Sequence, residues 1–119
     1  WPSELRLTTD KADLTVTFEE GASYRFAAEY LRVMSPSAEV QGHSAAERKT
    51  VGGKRQVKIA AVEPVGNYAV RLVFDDGHNT GLYTWAYLAE LGAEHAKRWE
   101  IYARDLIAKG LDRDSPGQR

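Results

Sequence analysis

The chain is 119 residues long, carries a formal net charge of −1 and contains no cysteine. This length fits one domain with its own hydrophobic core, and the near-neutral charge excludes the overall basic character of a nucleic-acid-binding domain. Without cysteine, the chain cannot form disulfides, thiolate zinc sites or cysteine-ligated iron–sulfur clusters. It has no apolar run of the roughly 20 residues that a membrane helix needs and no signal-peptide pattern at its start, so we expect a cytoplasmic protein.

The N-terminal quarter predicts β-structure. Apolar and polar residues alternate around Leu5 and Leu7 and again over residues 13–27. Glu19-Glu20-Gly21 supplies a turn within the second stretch, so residues 13–27 are predicted to form a β-hairpin.

A short helix and a loop are predicted next. Residues 27–34 favour a helix, which should end before Pro36 because the residue preceding a proline avoids the α conformation. Residues 44–56 are rich in small, polar and charged side chains, and this composition predicts a mobile loop.

Three short apolar runs between residues 57 and 83 predict a three-stranded antiparallel meander. The turns between them are expected at Val65-Gly66-Asn67 and at Asp75-Asp76-Gly77, where an Asp-Gly pair is typical of tight turns. The second run is predicted to begin at Tyr68.

Two helices are predicted at the C-terminal end. Thr84 is a suitable N-cap for a helix over residues 85–91, and Gly92 is expected to end that helix with a positive φ. A second helix over residues 94–109 should end at Gly110. Its apolar stripe is predicted to consist of His95, Trp99, Tyr102, Leu106 and Ile107, with His95 at the edge of the core.

These elements predict an α+β fold. Its antiparallel sheet is built from the hairpin and the meander, with a short helix near 27–34 and C-terminal helices over 85–91 and 94–109. The whole chain, 1–119, is predicted to be a single domain with a core over about 5–109 and a frayed tail over 110–119.

The segment Gly52-Gly53-Lys54-Arg55 has the glycines and the lysine of a phosphate-binding loop, but it lacks the rest of the motif. The first glycine of the motif is missing, and Arg55 replaces the required Ser or Thr. We interpret this segment as a basic loop. No other nucleophile, metalloprotease or dinucleotide motif is present in the sequence.

The histidines allow a metal hypothesis. Glu39 and His43 are four residues apart and, together with His78 from the predicted turn, could provide oxygen and nitrogen ligands. The alternative makes them surface polar residues, with His78 hydrogen-bonded to backbone at the turn.

Three aromatic residues lie around the start of the first C-terminal helix: Tyr83, Trp85 and Tyr87. They are predicted either to pack in the core or to form a hot spot for a partner.

Three blocks of the sequence resemble one family. They are YLRVMSPSAEVQGH at 30–43, VEPVGNYAVRLVFDDGH at 62–78 and TGLYTWAYLAELG at 80–92. In this order they closely resemble the small bacterial proteins of the gamma-butyrobetaine hydroxylase-like N-terminal domain family, long catalogued as a domain of unknown function.

The resemblance implies a zinc position that this chain does not keep. In the hydroxylases, a Cys-x-Cys-x-x-Cys cluster after a Leu-Arg pair and a later histidine hold a structural zinc. When the family's Leu-Arg pair is matched to Leu31-Arg32, its three cysteines correspond to Ser35, Ser37 and Val40, and its histidine corresponds to His78. Since hydroxyls are weak zinc ligands and valine is none, we expect no metal and no cofactor.

The resemblance also implies a function without catalysis, because the oxygenase chemistry of the hydroxylases belongs to a separate iron-binding domain. Relatives fused to P-loop ATPases that carry iron–sulfur clusters imply an accessory role in iron–sulfur protein maturation through protein binding. Nucleic acid and membrane partners are not expected. The predicted partner surface comprises Arg32, Ser35, Ser37, Glu39, His43, His78, Tyr83 and Trp85.

Two alternatives to this interaction role stay open. The first is a small metal-binding protein that uses Glu39, His43 and His78. The second is a partner domain that serves, in trans, an oxygenase dependent on iron and 2-oxoglutarate.

Overall fold

Six strands form two three-stranded antiparallel sheets in the computed structural model, which describes residues 1–37, 40 and 49–114. The first sheet has the order β1-β2-β3 and the second has the order β4-β5-β6. The strands are β1 Pro2–Leu7, β2 Asp13–Phe18, β3 Ser23–Ala27, β4 Ile59–Val65, β5 Ala69–Phe74 and β6 Leu82–Thr84. The helices of the described residues are α1 Ala28–Val33, α2 Trp85–Ala93 and α3 His95–Ala108.

The α+β fold, the hairpin, the meander and the three helices are confirmed, but the hairpin and the meander do not share one sheet. Strand β1 pairs with β2, so the first sheet consists of the β2–β3 hairpin and one further strand. A backbone hydrogen bond from Ile59 N to Lys11 O (2.9 Å) links the two sheets. Helix α1 follows β3 directly, and its Ala28, Tyr30 and Leu31 belong to the core that both sheets share.

One hydrophobic core joins both sheets with α1 and α2. In β2 the buried residues alternate with half-buried threonines, as expected for a strand with one face on the core. Strand β5 presents Val70, Leu72 and Phe74 to the same core. The predicted strand periodicity therefore identifies the core faces of both sheets.

The turns of the meander agree with the prediction, with one shift. Val65 pairs with Ala69, so Tyr68 lies in the turn, where 51% of it is exposed, and not on the strand. Gly66 takes a φ of 55°, a conformation that glycine adopts readily.

Thr84 caps α2 as predicted, since its hydroxyl accepts a hydrogen bond from Tyr87 N at 3.1 Å. The prediction for Gly92 is wrong, because it lies inside α2 and has no positive φ. A Cβ at this position would fall on the ring of Tyr24. Close packing of α2 on β3, rather than helix termination, explains this glycine.

Helix α3 ends at Ala108, and Gly110 (φ 68°) follows its C-cap as the predicted stop signal. Its buried residues are Tyr102 and Leu106, with Trp99 partly buried beside them. Ile107 is 81% exposed, so its place on the predicted apolar stripe is wrong. His95 is also exposed, and its ring lies 4.2 Å from the ring of the buried Tyr30.

Residues 49–56 contact the C-terminal segment 111–114. Gly53 N donates to Asp112 O (2.8 Å), and Arg55 N donates to Arg113 O (2.9 Å). Arg113 also makes a two-point ion pair with the buried Glu29 of α1 at 2.6 and 2.7 Å. The mobility of residues 44–56 and the fraying of residues 110–119 stay predictions. The described parts of the two segments contact each other, and Arg113 connects them to helix α1.

None of the described helices is long and apolar enough to cross a membrane. The cytoplasmic location stays a prediction.

We predict that Arg113→Ala lowers the free energy of unfolding by about 2 kcal/mol, because it leaves the buried Glu29 carboxylate without its partner. Chemical denaturation measures this loss. Arg104→Ala is the matched control, since Arg104 pairs with Glu100 at an exposed surface and should contribute less than about 1 kcal/mol. Equal effects of the two substitutions would contradict the proposed role of the Glu29–Arg113 pair.

Candidate functional site

The segment that begins in α1 lies beside the turn that follows β5, and three side-chain hydrogen bonds join them. Arg32 Nε donates to Asp76 Oδ2 at 2.8 Å, Ser35 Oγ lies 2.9 Å from His78 Nε2, and Ser37 Oγ lies 2.7 Å from Thr80 Oγ1. The pairs follow one another in the same order along both segments. We call this set of three pairs, Arg32–Asp76, Ser35–His78 and Ser37–Thr80, the side-chain ladder.

Two tyrosine hydroxyls bind the backbone of the same segment. Tyr83 OH donates to Leu31 O at 2.5 Å, and Tyr87 OH donates to Met34 O at 2.6 Å. Carbonyls at the end of a helix lack partners within the helix, so these hydroxyls satisfy groups that α1 leaves open. Burial raises the pKa of Tyr83 far above its ordinary value, which keeps this hydroxyl protonated as a donor.

Asp76 connects the turn to two other segments. Its Oδ2 accepts hydrogen bonds from Arg32 Nε and from Lys54 Nζ (2.6 Å), and its Oδ1 accepts one from His78 N (3.1 Å). Burial alone would raise the pKa of Asp76, but the hydrogen bonds from Lys54, His78 and Arg32 outweigh it and lower the pKa to about 2. Asp76 therefore stays ionised and holds α1, the turn and segment 49–56 together.

Ser35 and His78 have the spacing of a nucleophile and a general base, but their surroundings are closed. Ser35 is fully buried, His78 is 7% exposed, and Ser35 Oγ also accepts a hydrogen bond from Ser37 N at 3.2 Å. A Cβ at Gly81 would lie 2.6 Å from Ser35 Oγ, so the backbone there has no room even for a methyl group. This arrangement holds two segments together and leaves no space for a substrate at Ser35.

The residues at the implied zinc position come together in space, but they do not fit zinc. Val40 is buried and offers no donor atom, and its amide donates to Ser37 O at 3.0 Å. The two serine hydroxyls already bind His78 and Thr80, which leaves one imidazole where tetrahedral zinc needs four ligands. Among residues 1–37, 40 and 49–114, no group of three or more His, Asp or Glu side chains could hold a metal ion.

The structure brings together Arg32, Ser35, Ser37, His78 and Tyr83 from the predicted partner surface. Their contact with a partner stays a prediction. Because most of these side chains are buried, their direct effect is on the position of the turn.

The structure does not show the remaining predicted residues as part of this group. Glu39 and His43 fall outside the described residues, so the metal hypothesis that uses them stays open. Trp85 does not join the ladder, because its Nε1 donates to Asn67 O at 2.8 Å in the turn between β4 and β5.

The sequence prediction missed Lys54, Asp76 and Thr80. For Asp76, an Asp two residues before His78 is a signal for a side-chain cap on the turn. Lys54 had no comparable signal, since its contact with Asp76 spans 22 residues. Thr80 likewise meets Ser37 across 43 residues.

The outer side of this site is an exposed polar turn with one apolar neighbour. Asp75, Gly77, Asn79 and Thr80 are exposed, and Leu82 in β6 is 41% exposed. The ladder therefore supports a surface from below rather than lining a cleft.

Comparisons with known proteins agree with this fold. The family model described as gamma-butyrobetaine hydroxylase-like, N-terminal, matches residues 5–89. No curated protein matches the chain.

Solved structures are similar over most of the chain. A solution NMR structure is 44% identical, with a TM-score of 0.82, and the match covers 98% of this chain and 92% of that one. A second NMR structure is 42% identical, with a TM-score of 0.81 and coverage of 99% and 88%. A crystal structure of a protein of unknown function in the DUF971 family, from Acidithiobacillus ferrooxidans, is 41% identical, with a TM-score of 0.65 and coverage of 78% and 93%.

The lowered pKa of Asp76 predicts an acid-dependent loss of stability. The pKa of Asp76 is lower in the folded protein than its ordinary value of 3.8. The ionised Asp76 therefore stabilises the fold fully above pH 3.8, and this stabilisation is lost as the pH falls through about 2. The free energy of unfolding should fall by about 2 kcal/mol over this window in the wild type, and by less in Asp76→Asn.

Denaturation at a series of pH values measures this difference. Glu63→Gln removes a carboxylate from an exposed ion pair with Arg71 and leaves Asp76 in place, so it should keep the wild-type pH dependence. An Asp76→Asn protein with the wild-type acid dependence would contradict this role of Asp76.

Proposed function

Because the chain belongs to the gamma-butyrobetaine hydroxylase-like N-terminal family, we propose that it is a non-catalytic interaction domain whose binding surface is the exposed turn 75–80 with Leu82. The DUF971 relative of known structure has no assigned function, so the role is argued from the site itself.

One observation carries this proposal: the reactive side chains of the site point inward, while the turn above them is exposed and held in place. Ser35 and His78 are buried against each other, and Asp76 is bound from three sides. A polar surface that is held rigid before binding loses little conformational entropy when a partner docks. An exposed leucine among polar groups is suited to be the apolar centre of such a contact.

The partner class is proposed from the family resemblance. Iron–sulfur protein maturation is the first proposal, with this chain as a protein-binding accessory that carries no cluster. An oxygenase dependent on iron and 2-oxoglutarate is the competing partner. Both predict a protein complex without chemistry in this chain, and the identity of the co-purified protein distinguishes them.

We predict that Leu82→Asp lowers recovery of the native partner at least tenfold, because a charge at the centre of a contact removes apolar burial and adds a desolvation cost. The measurement is quantitative mass spectrometry after purification of the tagged full chain from native cells, with metal content determined on the same samples.

Ile107→Asp is the matched control, since Ile107 is a more exposed apolar residue on a different element, α3. It should leave recovery unchanged. Equal recovery with wild type and Leu82→Asp would overturn the proposed surface. Recovery of neither an iron–sulfur assembly protein nor an oxygenase would overturn the partner classes. Stoichiometric metal bound to the wild type would favour the metal-binding alternative.

A further inference from the structure

The side-chain ladder joins two segments more than 40 residues apart through polar contacts, of which Ser35–His78 is buried and Ser37–Thr80 is partly buried. The Ser35–His78 and Ser37–Thr80 pairs each span 43 residues, and the Arg32–Asp76 pair spans 44. Contacts of this kind close a long loop, as a disulfide or a bound metal does in small domains.

The ladder lies at the positions where the resemblance implies a metal centre. Ser35, Ser37 and Val40 follow one another at the spacing of a ligand cluster, and His78 faces Ser35 across 2.9 Å. The backbone at Gly81 packs closely against Ser35, and Val40 is itself buried, 2% exposed. Nothing about this packing requires an ion.

We propose that the ladder is a metal-independent staple, which takes the place of a structural metal centre in holding segment 32–37 against turn 76–80. This proposal stands apart from the choice of partner, because it concerns how the site is held and not what binds it.

The buried hydroxyl contact between Ser35 and His78 gives the staple most of its strength. Truncation of Ser37 leaves Thr80 without this partner hydroxyl, and truncation of Ser35 removes a partner from both His78 Nε2 and Ser37 N. An unsatisfied group in the interior is destabilising, whereas the same change at an exposed site lets water replace the lost contact.

The first test compares Ser37→Ala with Ser23→Ala in the full chain. Ser23 forms the same kind of Ser–Thr hydroxyl contact with Thr17, at 3.2 Å, but at an exposed position. Ser35→Ala should lower the folding equilibrium constant about tenfold, because its partner His78 is buried. Ser37→Ala should lower it less, because Thr80 is exposed, but more than Ser23→Ala, because Ser37 itself is buried. If Ser35→Ala does not fold, Ser37→Ala still decides the comparison. Equal effects of Ser37→Ala and Ser23→Ala would overturn the staple.

The second test concerns the metal. Dialysis of the wild type against EDTA should leave the thermal midpoint unchanged, and metal analysis should find no stoichiometric zinc. A chelator-dependent loss of stability would overturn the proposal.

The third test restores ligands with the triple variant Ser35→Cys/Ser37→Cys/Val40→Cys. This variant should bind one zinc per chain through three thiolates and His78, and it should then lose stability on addition of EDTA. Cobalt substitution reports tetrahedral thiolate coordination directly. A triple variant that takes up no zinc, whether folded or not, would show that the ladder does not occupy a metal-sized site.

Discussion

The buried C-terminal end of helix α1 is the constraint on which the site depends. A helix leaves its last carbonyls without partners inside the helix, and here these groups lie in the interior, away from water. Tyr83 and Tyr87 donate to them from β6 and α2, and the residues that follow are held by the ladder. A six-residue helix is too short to be stable alone, so these tertiary contacts fix it.

Further polar contacts connect the C-terminal end of α1 to its N-terminal end through three other segments. Asp76 binds Lys54 as well as Arg32, and the segment that contains Lys54 pairs with residues 112–114. Arg113 then returns to the buried Glu29 at the start of α1 and lies over the ring of Trp99. Both ends of the helix are therefore held by charged groups from distant segments, and the turn 75–80 takes its position from them.

The polar character of the site has a chemical consequence. A zinc centre concentrates its stabilisation in a few strong bonds that depend on metal supply, whereas several neutral and charged hydrogen bonds distribute it over five or more side chains. With serines and a valine at the positions where the resemblance implies cysteines, hydrogen bonds still hold these segments together. Gly81 shows how closely the site is packed around the Ser35 hydroxyl.

Two glycines show which structural features a local sequence pattern can predict and which it cannot. Gly110 ends α3 as a local rule predicts, because a positive φ after a helix is a property of a few neighbouring residues. Gly92 follows the predicted helix 85–91 in the same way, yet it lies inside α2 and allows close contact with Tyr24, 68 positions earlier, which no local rule can show. Ile107 is a similar case, since helical periodicity places it near the stripe but the neighbouring elements do not cover it.

The sequence by itself determined the α+β class, the strand and helix order, the cap at Thr84 and the family, because these depend on local periodicity, turn chemistry and the order of three sequence blocks. It also identified Ser35, Ser37, Val40 and His78 as one set, although only through resemblance. The tertiary structure alone decided that the strands form two sheets and that these side chains bind one another. It alone brought Lys54 and Asp76 together, because a contact between segments far apart in the chain depends on how all the elements pack.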